Sequence, residues 1–329
     1  MTQQEFESIW HDANDYVVCH TSGSTGSPKE IRLSKEFMRE SARRTNRFFS
    51  ICGDSRLHTC LDFNYIASKM MVVRADEAGC ILTSERPSSH PLDEVAKDER
   101  IDLLSVVPAQ MEWILDAPVR WTGLRHILVG GSAIPAVMRR RIALSDYDAW
   151  ETYGMTETAS HIALRKVTYD DVPFRPLEGI DVKVNEEGCL TVTMPDGTEL
   201  PTNDLADITD KGEFRILGRA DNCIISGGIK IIPEQLESRL GHFIAFDYCL
   251  SSVEDRKWGE KLVLVVERPA EGIEDEFLRM AIGVRLRQYR KILDLGVKSP
   301  KDVVIIDRFP RTPNGKIDRR NLKAKLWKE

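Results

Sequence analysis

The chain has 329 residues, 42% of them apolar and 30% charged, with a formal charge of −6. That length allows about two domains with real cores, and the acidic balance argues against a nucleic acid as main partner, because phosphate contacts need clustered cations. Seven cysteines without a C-x-x-C pair argue against a disulfide framework or a zinc site and point to reduced thiols of the cytoplasm.

Met1 to Asn14 is polar and acidic, with no signal-peptide core, and no apolar run reaches the ~20 residues that span a bilayer. No membrane partner is expected. In chain order, Tyr16–His20 reads as a strand entering a loop. Ser34–Ser50 reads as a helix with Ser34 as its N-cap. Leu57–Phe63 is a predicted strand, Tyr65–Ala78 a helix, Gly79–Thr83 a strand and Leu92–Arg100 a helix. Ile101–Val107 reads as a buried-type strand, and Pro108 opens the next helix. His126–Val129 reads as a strand, Pro135–Leu144 as a helix and Ala149–Tyr153 as a strand. This βαβα rhythm predicts an α/β domain with a mostly parallel sheet covered by helices. Between Asp181 and Leu217, β-like pieces with Glu187-Gly188 and Asp196-Gly197 turns predict a small antiparallel subdomain. From Ile224 the pattern is hairpin, helix (Pro233–Leu240), strand (Ala245–Val253), strand (Lys261–Glu267), helix (Ile273–Leu293), strand (Val303–Asp307) and helix. That is an α+β unit whose boundary falls near Gly218-Arg219-Ala220-Asp221.

Four segments carry chemistry. His20-Thr21-Ser22-Gly23-Ser24-Thr25-Gly26-Ser27-Pro28-Lys29 puts hydroxyls, glycines and a lysine after a strand. Glycines let backbone N–H groups turn toward an anion, although a Ser/Gly surface loop has the same composition. Tyr153-Gly154-Met155-Thr156-Glu157-Thr158 offers a carboxylate beside hydroxyls, suited to Mg²⁺ on a nucleotide phosphate, or simply a helix start. Gly218-Arg219-Ala220-Asp221 leads into Ile224–Lys230. Pro310–Arg319 holds Lys316 on a Pro/Gly-bounded loop, which suits a lysine reaching into a cleft and equally a charged turn.

In this order the four segments resemble the signature set of the acyl-adenylate-forming superfamily, from about Val17 to Lys323. The resemblance implies an N-terminally shortened adenylation domain over 1–219 and a mobile α+β C-terminal domain over 220–329. It implies ATP and Mg²⁺ as cofactors, coenzyme A as co-substrate and a small carboxylic acid as substrate. Thr21, Ser22, Gly23, Ser24, Thr25, Gly26 and Lys29 match the loop gripping the ATP phosphates. Gly131 and Ser132 match the lining of the adenine and acyl pocket, and Tyr153 the residue near adenine. Thr156 matches an α-phosphate contact and Glu157 the magnesium ligand. Asp204 matches the acid on the ribose hydroxyls, with Arg219 its companion. Asp221 matches the hinge, Gly227 the passage of the pantetheine arm, and Lys316 the lysine of the adenylation step. Two departures stand out: Glu30 follows the lysine where glycine is usual, and Asn203 precedes Asp204 where glycine is usual.

Asp62–Arg74, Val107–Met111 and Glu151–Arg165 are similar to the o-succinylbenzoate–CoA ligases of menaquinone biosynthesis. Such an acid keeps one carboxylate while the other is activated, and a buried carboxylate needs a cation or several donors. Lys69, Arg74 and His161 are the candidates. A solvated helix face is the plain alternative for the two cations, and a packed neutral imidazole for His161. A monomer or homodimer is expected. Two other functions stay open here: loading of a carrier-protein thiol, and a non-catalytic nucleotide-binding protein.

Overall fold

The computed structural model describes residues 1–20, 29–241, 244, 246–269, 274–292, 296–312 and 316–327. The chain divides into two compact units. One comprises Met1–Lys183, Thr191–Leu200 and Ile208–Arg215; the other Val184–Leu190, Pro201–Asp207 and Ile216–Glu329.

The first unit opens with α1 (Gln3–Trp10), β1 (Tyr16–His20), β2 (Glu30–Ser34), α2 (Lys35–Phe49), β3 (Arg56–Thr59), α3 (Ile66–Ala78) and β4 (Ile81–Ser84). It continues with β5 (Ile101–Val106), α4 (Pro108–Asp116), β6 (Leu124–Val129), α5 (Ala136–Leu144), β7 (Ala149–Gly154), β8 (His161–Lys166) and β9 (Arg175–Pro176). Seven strands form one sheet in the order β4-β3-β5-β6-β7-β8-β9. Neighbours from β4 to β7 are parallel; β7, β8 and β9 pair antiparallel. Every residue of β5 is buried, as expected of a parallel strand covered on both faces.

Local chemistry sets the helix ends. Thr2 and Glu5 form a reciprocal capping box on α1, and the Ser34 hydroxyl caps α2 by accepting from Phe37 N, satisfying otherwise unpaired amides. Pro108 starts α4. Gly79 ends α3 at φ +64°, a left-handed turn that glycine adopts without a Cβ penalty. Phe6 and Trp10 of α1 are buried with Met38, Phe63, Met70 and Val73, so α1 closes one side of this core.

A four-stranded sheet, β10 (Asp181–Val184), β11 (Cys189–Thr193), β12 (Glu199–Ile208) and β13 (Phe214–Arg219), runs in chain order. Its strands are joined by tight turns with Gly188, Gly197 and Gly212 at positive φ. The second unit holds β14 (Ile224–Ser226), β15 (Ile229–Ile231), α6 (Pro233–Leu240), β16 (Tyr248–Asp255), β17 (Gly259–Glu267), α7 (Asp275–Ile292), β18 (Asp302–Ile306) and α8 (Arg319–Leu326). Its sheet runs β15-β14-β17-β16, with β18 parallel to β17. One of its faces packs on Leu236, Leu240, Leu278 and Ile282; the other on Phe309, Leu322 and Leu326.

Some expectations need correction. Leu92–Arg100 is a series of turns and not a helix. Leu92 has φ +73°, and the Glu85 carboxylate accepts from Leu92 N and Glu94 N, so a distant side chain takes the amides a helix would use. The strand predicted over Leu57–Phe63 stops at Thr59, because Asp62 caps a turn by accepting from Asn64 N. Four of the labelled elements were not foreseen: α1, β2, β8 and β9.

Candidate active site

The carboxyl ends of the parallel strands gather the site. The chain goes from β3 outward to β4, then crosses to β5 on the other side of β3, so the ends of β3 and β5 flank the point where connections diverge. Open α/β sheets bind ligands at such a point. Gln110, at the start of α4, stitches it: Nε2 donates to Cys60 O (3.1 Å) and Ser88 O (2.8 Å), and Oε1 accepts from Val107 N (3.1 Å). Gly130 and Gly131 follow β6. Gly131 has φ +84°, and a Cβ on Gly130 would lie 2.5 Å from Thr152 Oγ1, so the loop backbone lies tight against β7. Gly131 is on this edge, next to Val107, and Ser132 follows it in the exposed loop.

Beside it lies a buried polar chain. Arg74 of α3 donates from Nη2 to Ser160 Oγ and from Nη1 to Met71 Sδ at 3.5 Å, and its Nε is buried without a partner among the described residues. Ser160 Oγ is 3.3 Å from His161 Nδ1, His161 Nε2 is 3.0 Å from Thr45 Oγ1, and Thr45 donates to Ser41 O. One proton order satisfies all of these. Ser160 accepts from Arg74 and donates to Nδ1, while Nε2–H donates to Thr45. His161 is then a neutral imidazole protonated on Nε2. Burial, and then the charge of Arg74, hold its pKa well below the usual histidine value. Burial pulls the Arg74 guanidinium down to about 9. The solvated-face alternative fails for both helix cations, since Arg74 is 2% and Lys69 3% exposed. The two do not act together: Lys69 Nζ donates to Val18 O (3.3 Å) and lies 3.9 Å from Cys19 Sγ, on β1.

Gly154, at the end of β7, is where β8 comes closest: a Cβ there would meet Ser160 O at 2.4 Å and His161 Cα at 2.5 Å. Between them Thr156–Thr158 forms a 3₁₀ turn carrying half-buried Thr156 and Glu157. Thr158 Oγ1 closes it, accepting from Met155 N. Ala159 then takes φ +60°, a strained value for a residue with a Cβ, and is fully buried. Such strain persists only where packing over-determines it. Tyr153 packs its ring 5.2 Å from Phe214 and 5.8 Å from Phe174. Among the described residues no group of three His, Cys, Asp or Glu could hold a metal. Glu157 is a single carboxylate, which fits a Mg²⁺ held otherwise by phosphates and water. Thr21, Ser22, Gly23, Ser24, Thr25 and Gly26 lie outside the described residues; Lys29 is exposed immediately before β2. Glu30 is paired with His20 across the β1–β2 ladder, and its carboxylate turns to Arg32 Nε at 3.3 Å. Its charge is thereby engaged on the strand.

The second unit assembles a different set. Arg219 bridges Asp204 (3.2 Å) and Asp221 (2.9 Å). Burial opposes ionisation of Asp221, yet the Arg219 hydrogen bond and charge hold its carboxyl below the usual value. Lys316 is in the same field: desolvation and then Arg219 lower its pKa, while Asp204 raises it. Gly227 and Gly228 (φ +58° and +80°) form the β14–β15 turn, and a Cβ on Gly227 would press into the Trp258 ring at 2.7 Å.

Residues 2–198 match the family model described as AMP-binding enzyme. The chain belongs to the AMP-binding enzyme family. It is 32% identical to a solved acyl-CoA synthetase (AMP-forming)/AMP-acid ligase II-like protein from Dyadobacter fermentans, covering 98% of this chain and 93% of that one at a TM-score of 0.61. It is 28% identical to the indoleacetate–CoA ligase of Aromatoleum aromaticum over 92% of this chain, and spans 65% of that protein's length. It is 23% identical to the 2-succinylbenzoate–CoA ligase of Lactococcus lactis over 94% of this chain, and spans 70% of that protein. The o-succinylbenzoate CoA synthetase of Bacillus subtilis, solved with ATP and magnesium, shares the fold at a TM-score of 0.77 and 22% identity, over 93% of this chain and 69% of that one. The fold is thus that of the adenylate-forming enzymes. No helix among the described residues is long and apolar enough to cross a membrane.

Reasoning from the sequence missed Thr45, Gln110, Glu151 and Ser160. Each is a buried polar residue whose partner is distant in sequence or lies on the backbone. Only Gln110 carried a readable signal, its place three residues after Val107 at a helix start.

Proposed function

We propose that this family member is an AMP-forming acid–CoA ligase whose acid carries a second anionic group, with o-succinylbenzoate as that acid. The observation that carries the substrate class is Arg74: a fully buried guanidinium with no carboxylate partner among the described residues, its charged form disfavoured by burial. An isolated buried charge is costly, and a bidentate carboxylate relieves that cost. The neutral, pre-oriented Ser160–His161 pair beside it adds hydrogen-bonding capacity without a competing charge.

Chemistry follows from charge. The acid's reacting carboxylate attacks the α-phosphorus of ATP and pyrophosphate leaves; the thiol of coenzyme A then attacks the acyl carbonyl and AMP leaves. Lys29 and Thr156 are assigned to the phosphates, Tyr153, Gly131 and Ser132 to the nucleotide and acyl group, and Asp204 with Arg219 to the ribose. Glu157 would hold Mg²⁺, which supplies charge neutralisation at the phosphates when bound. Positioning and electrostatics do most of the work in phosphoryl-type transfer. Lys316 serves the first step, Asp221 is the hinge and Gly227 borders the path of the thiol arm.

The test is acid-dependent AMP release from ATP and CoA with o-succinylbenzoate, indoleacetate and a long-chain fatty acid. The dicarboxylic acid should give the highest kcat/KM. Arg74→Ala should lower kcat/KM for it by about 1.5–3 kcal/mol, the value of a charge-assisted hydrogen bond, and leave the neutral-tailed acids much less affected. Equal losses on all acids would make Arg74 a core residue and remove the substrate assignment.

A further inference from the structure

Glu151 of β7 is 2% exposed and takes three hydrogen bonds at once. Oε1 accepts from Ile134 N (3.0 Å), and Oε2 accepts from Arg139 Nη2 (2.5 Å) and Arg165 Nε (2.8 Å). Ile134 N lies near the end of the loop that begins at Gly130 and leads into α5. Arg165 lies with its guanidinium 4.3 Å over the Phe174 ring, and Phe174 packs on Tyr153. One carboxylate therefore ties the loop after β6 to the aromatic group that holds Tyr153. Two guanidiniums on one carboxylate oxygen and an amide on the other hold the carboxylate in place, because an acceptor with several fixed donors has little freedom to turn.

We propose that Glu151 is a positioning residue for nucleotide binding: through Ile134 N it sets the Gly130–Ile134 backbone, and through Arg165 and Phe174 it sets Tyr153, so that both sides of the base-binding edge share one anchor. Placing the nucleotide at this edge rests on the functional reading above. Glu151 does not touch the ligand.

The test is calorimetric titration of AMP into the full chain. Wild-type binding tests the functional reading by itself; loss in variants tests the anchor. Glu151→Gln keeps an acceptor for Ile134 N and should bind AMP within about threefold of wild type. The Glu151→Met/Arg139→Met pair fills the same volume with apolar groups, a replacement that buried ion networks tolerate in folding, but removes the acceptor. It should unfold at a temperature close to wild type and bind AMP at least tenfold more weakly. With ATP as varied substrate the loss should be in KM, with kcat within threefold. If the double variant is folded and binds AMP like wild type, the network only braces the core and the proposal is overturned. A fall confined to kcat, in proportion to lost folded protein, overturns it equally. If the double variant does not fold, Arg165→Ala decides, since it cuts the arm to Phe174 and Tyr153 and leaves Ile134 N its acceptor: an AMP affinity down at least fivefold in folded protein supports the anchor, and an affinity within twofold of wild type rejects it.

Discussion

At the scale of single residues, burial of ionisable groups has a cost that pH can expose. His58 is 2% exposed, bonded through Nδ1 to Thr83 Oγ1, and burial lowers its pKa to about 4 from 6.5. The unfolded chain takes up that proton first as pH falls. Stability from a neutral His58 is therefore complete above about pH 6.5 and is lost progressively toward pH 4, by about 3 kcal/mol in all. His161 acts in the same sense. Urea unfolding at pH 7, 6 and 5 should show a steep acid limb, and His58→Gln should make it shallower while leaving Glu85, the other group facing the ring, in place. Parallel limbs for the two proteins would contradict the burial argument. The identity of Arg74 as a candidate was legible from sequence; its burial was not, because α3 mixes Lys, Arg, Asp and Glu with apolar residues in no clear helical stripe. Eight consecutive residues, Ser68–Ala75, are nevertheless buried, since this helix is covered on more than one side. Lys69 illustrates the limit: helix spacing puts it five residues from Arg74, and that step turns it to β1.

Among the elements, the β7–β8 ladder is the most exacting. Its register shifts between Tyr153 and Gly154, so β8 crosses Gly154 where a side chain would strike backbone and not a movable side-chain tip. Gly154→Ala should destabilise by about 1–3 kcal/mol, the usual effect of overpacking, and displace Ser160 and His161. The urea midpoint should fall at unchanged slope, and KM for the dicarboxylic acid should rise. A change below about 0.5 kcal/mol would mean that β8 yields easily. The capped α2, the proline-started α6 and the mainly apolar β5 were readable because local chemistry and tertiary packing agree there. β8 was not, because Thr156–Thr158 reads as a helix start and the strand that follows owes its pairing to β7. The missing helix over Leu92–Arg100 has the same cause: Glu85, seven residues earlier, decides it.

On the scale of the whole molecule, the order of the four motifs made the family legible when no one of them would have. The acid was less so, since relatives named for indoleacetate and for succinylbenzoate lie at similar identity. Lys316 offers the sharpest test of how the two units divide the chemistry. Lys316→Ala should cut adenylation from ATP and acid by about 10²-fold, the scale of losing one preorganised donor. Thioester formation from synthetic acyl-adenylate and CoA should stay near wild type. Equal losses in both half-reactions would make Lys316 structural, and no loss in either would leave its loop a surface turn.

The N-terminal helix also makes the molecule observable. Trp10 is 1% exposed, its indole N–H donates to Asp76 at 2.9 Å and Arg39 lies 5.0 Å over its ring. Asp76 stands two residues from Arg74 on the same helix, so the indole is fastened to the element that carries Arg74. Fluorescence of Trp10, isolated as the difference between wild type and Trp10→Phe, would act as an optical gauge of that helix. A shift in emission on adding the acid would report its movement in real time, without a label and without turnover.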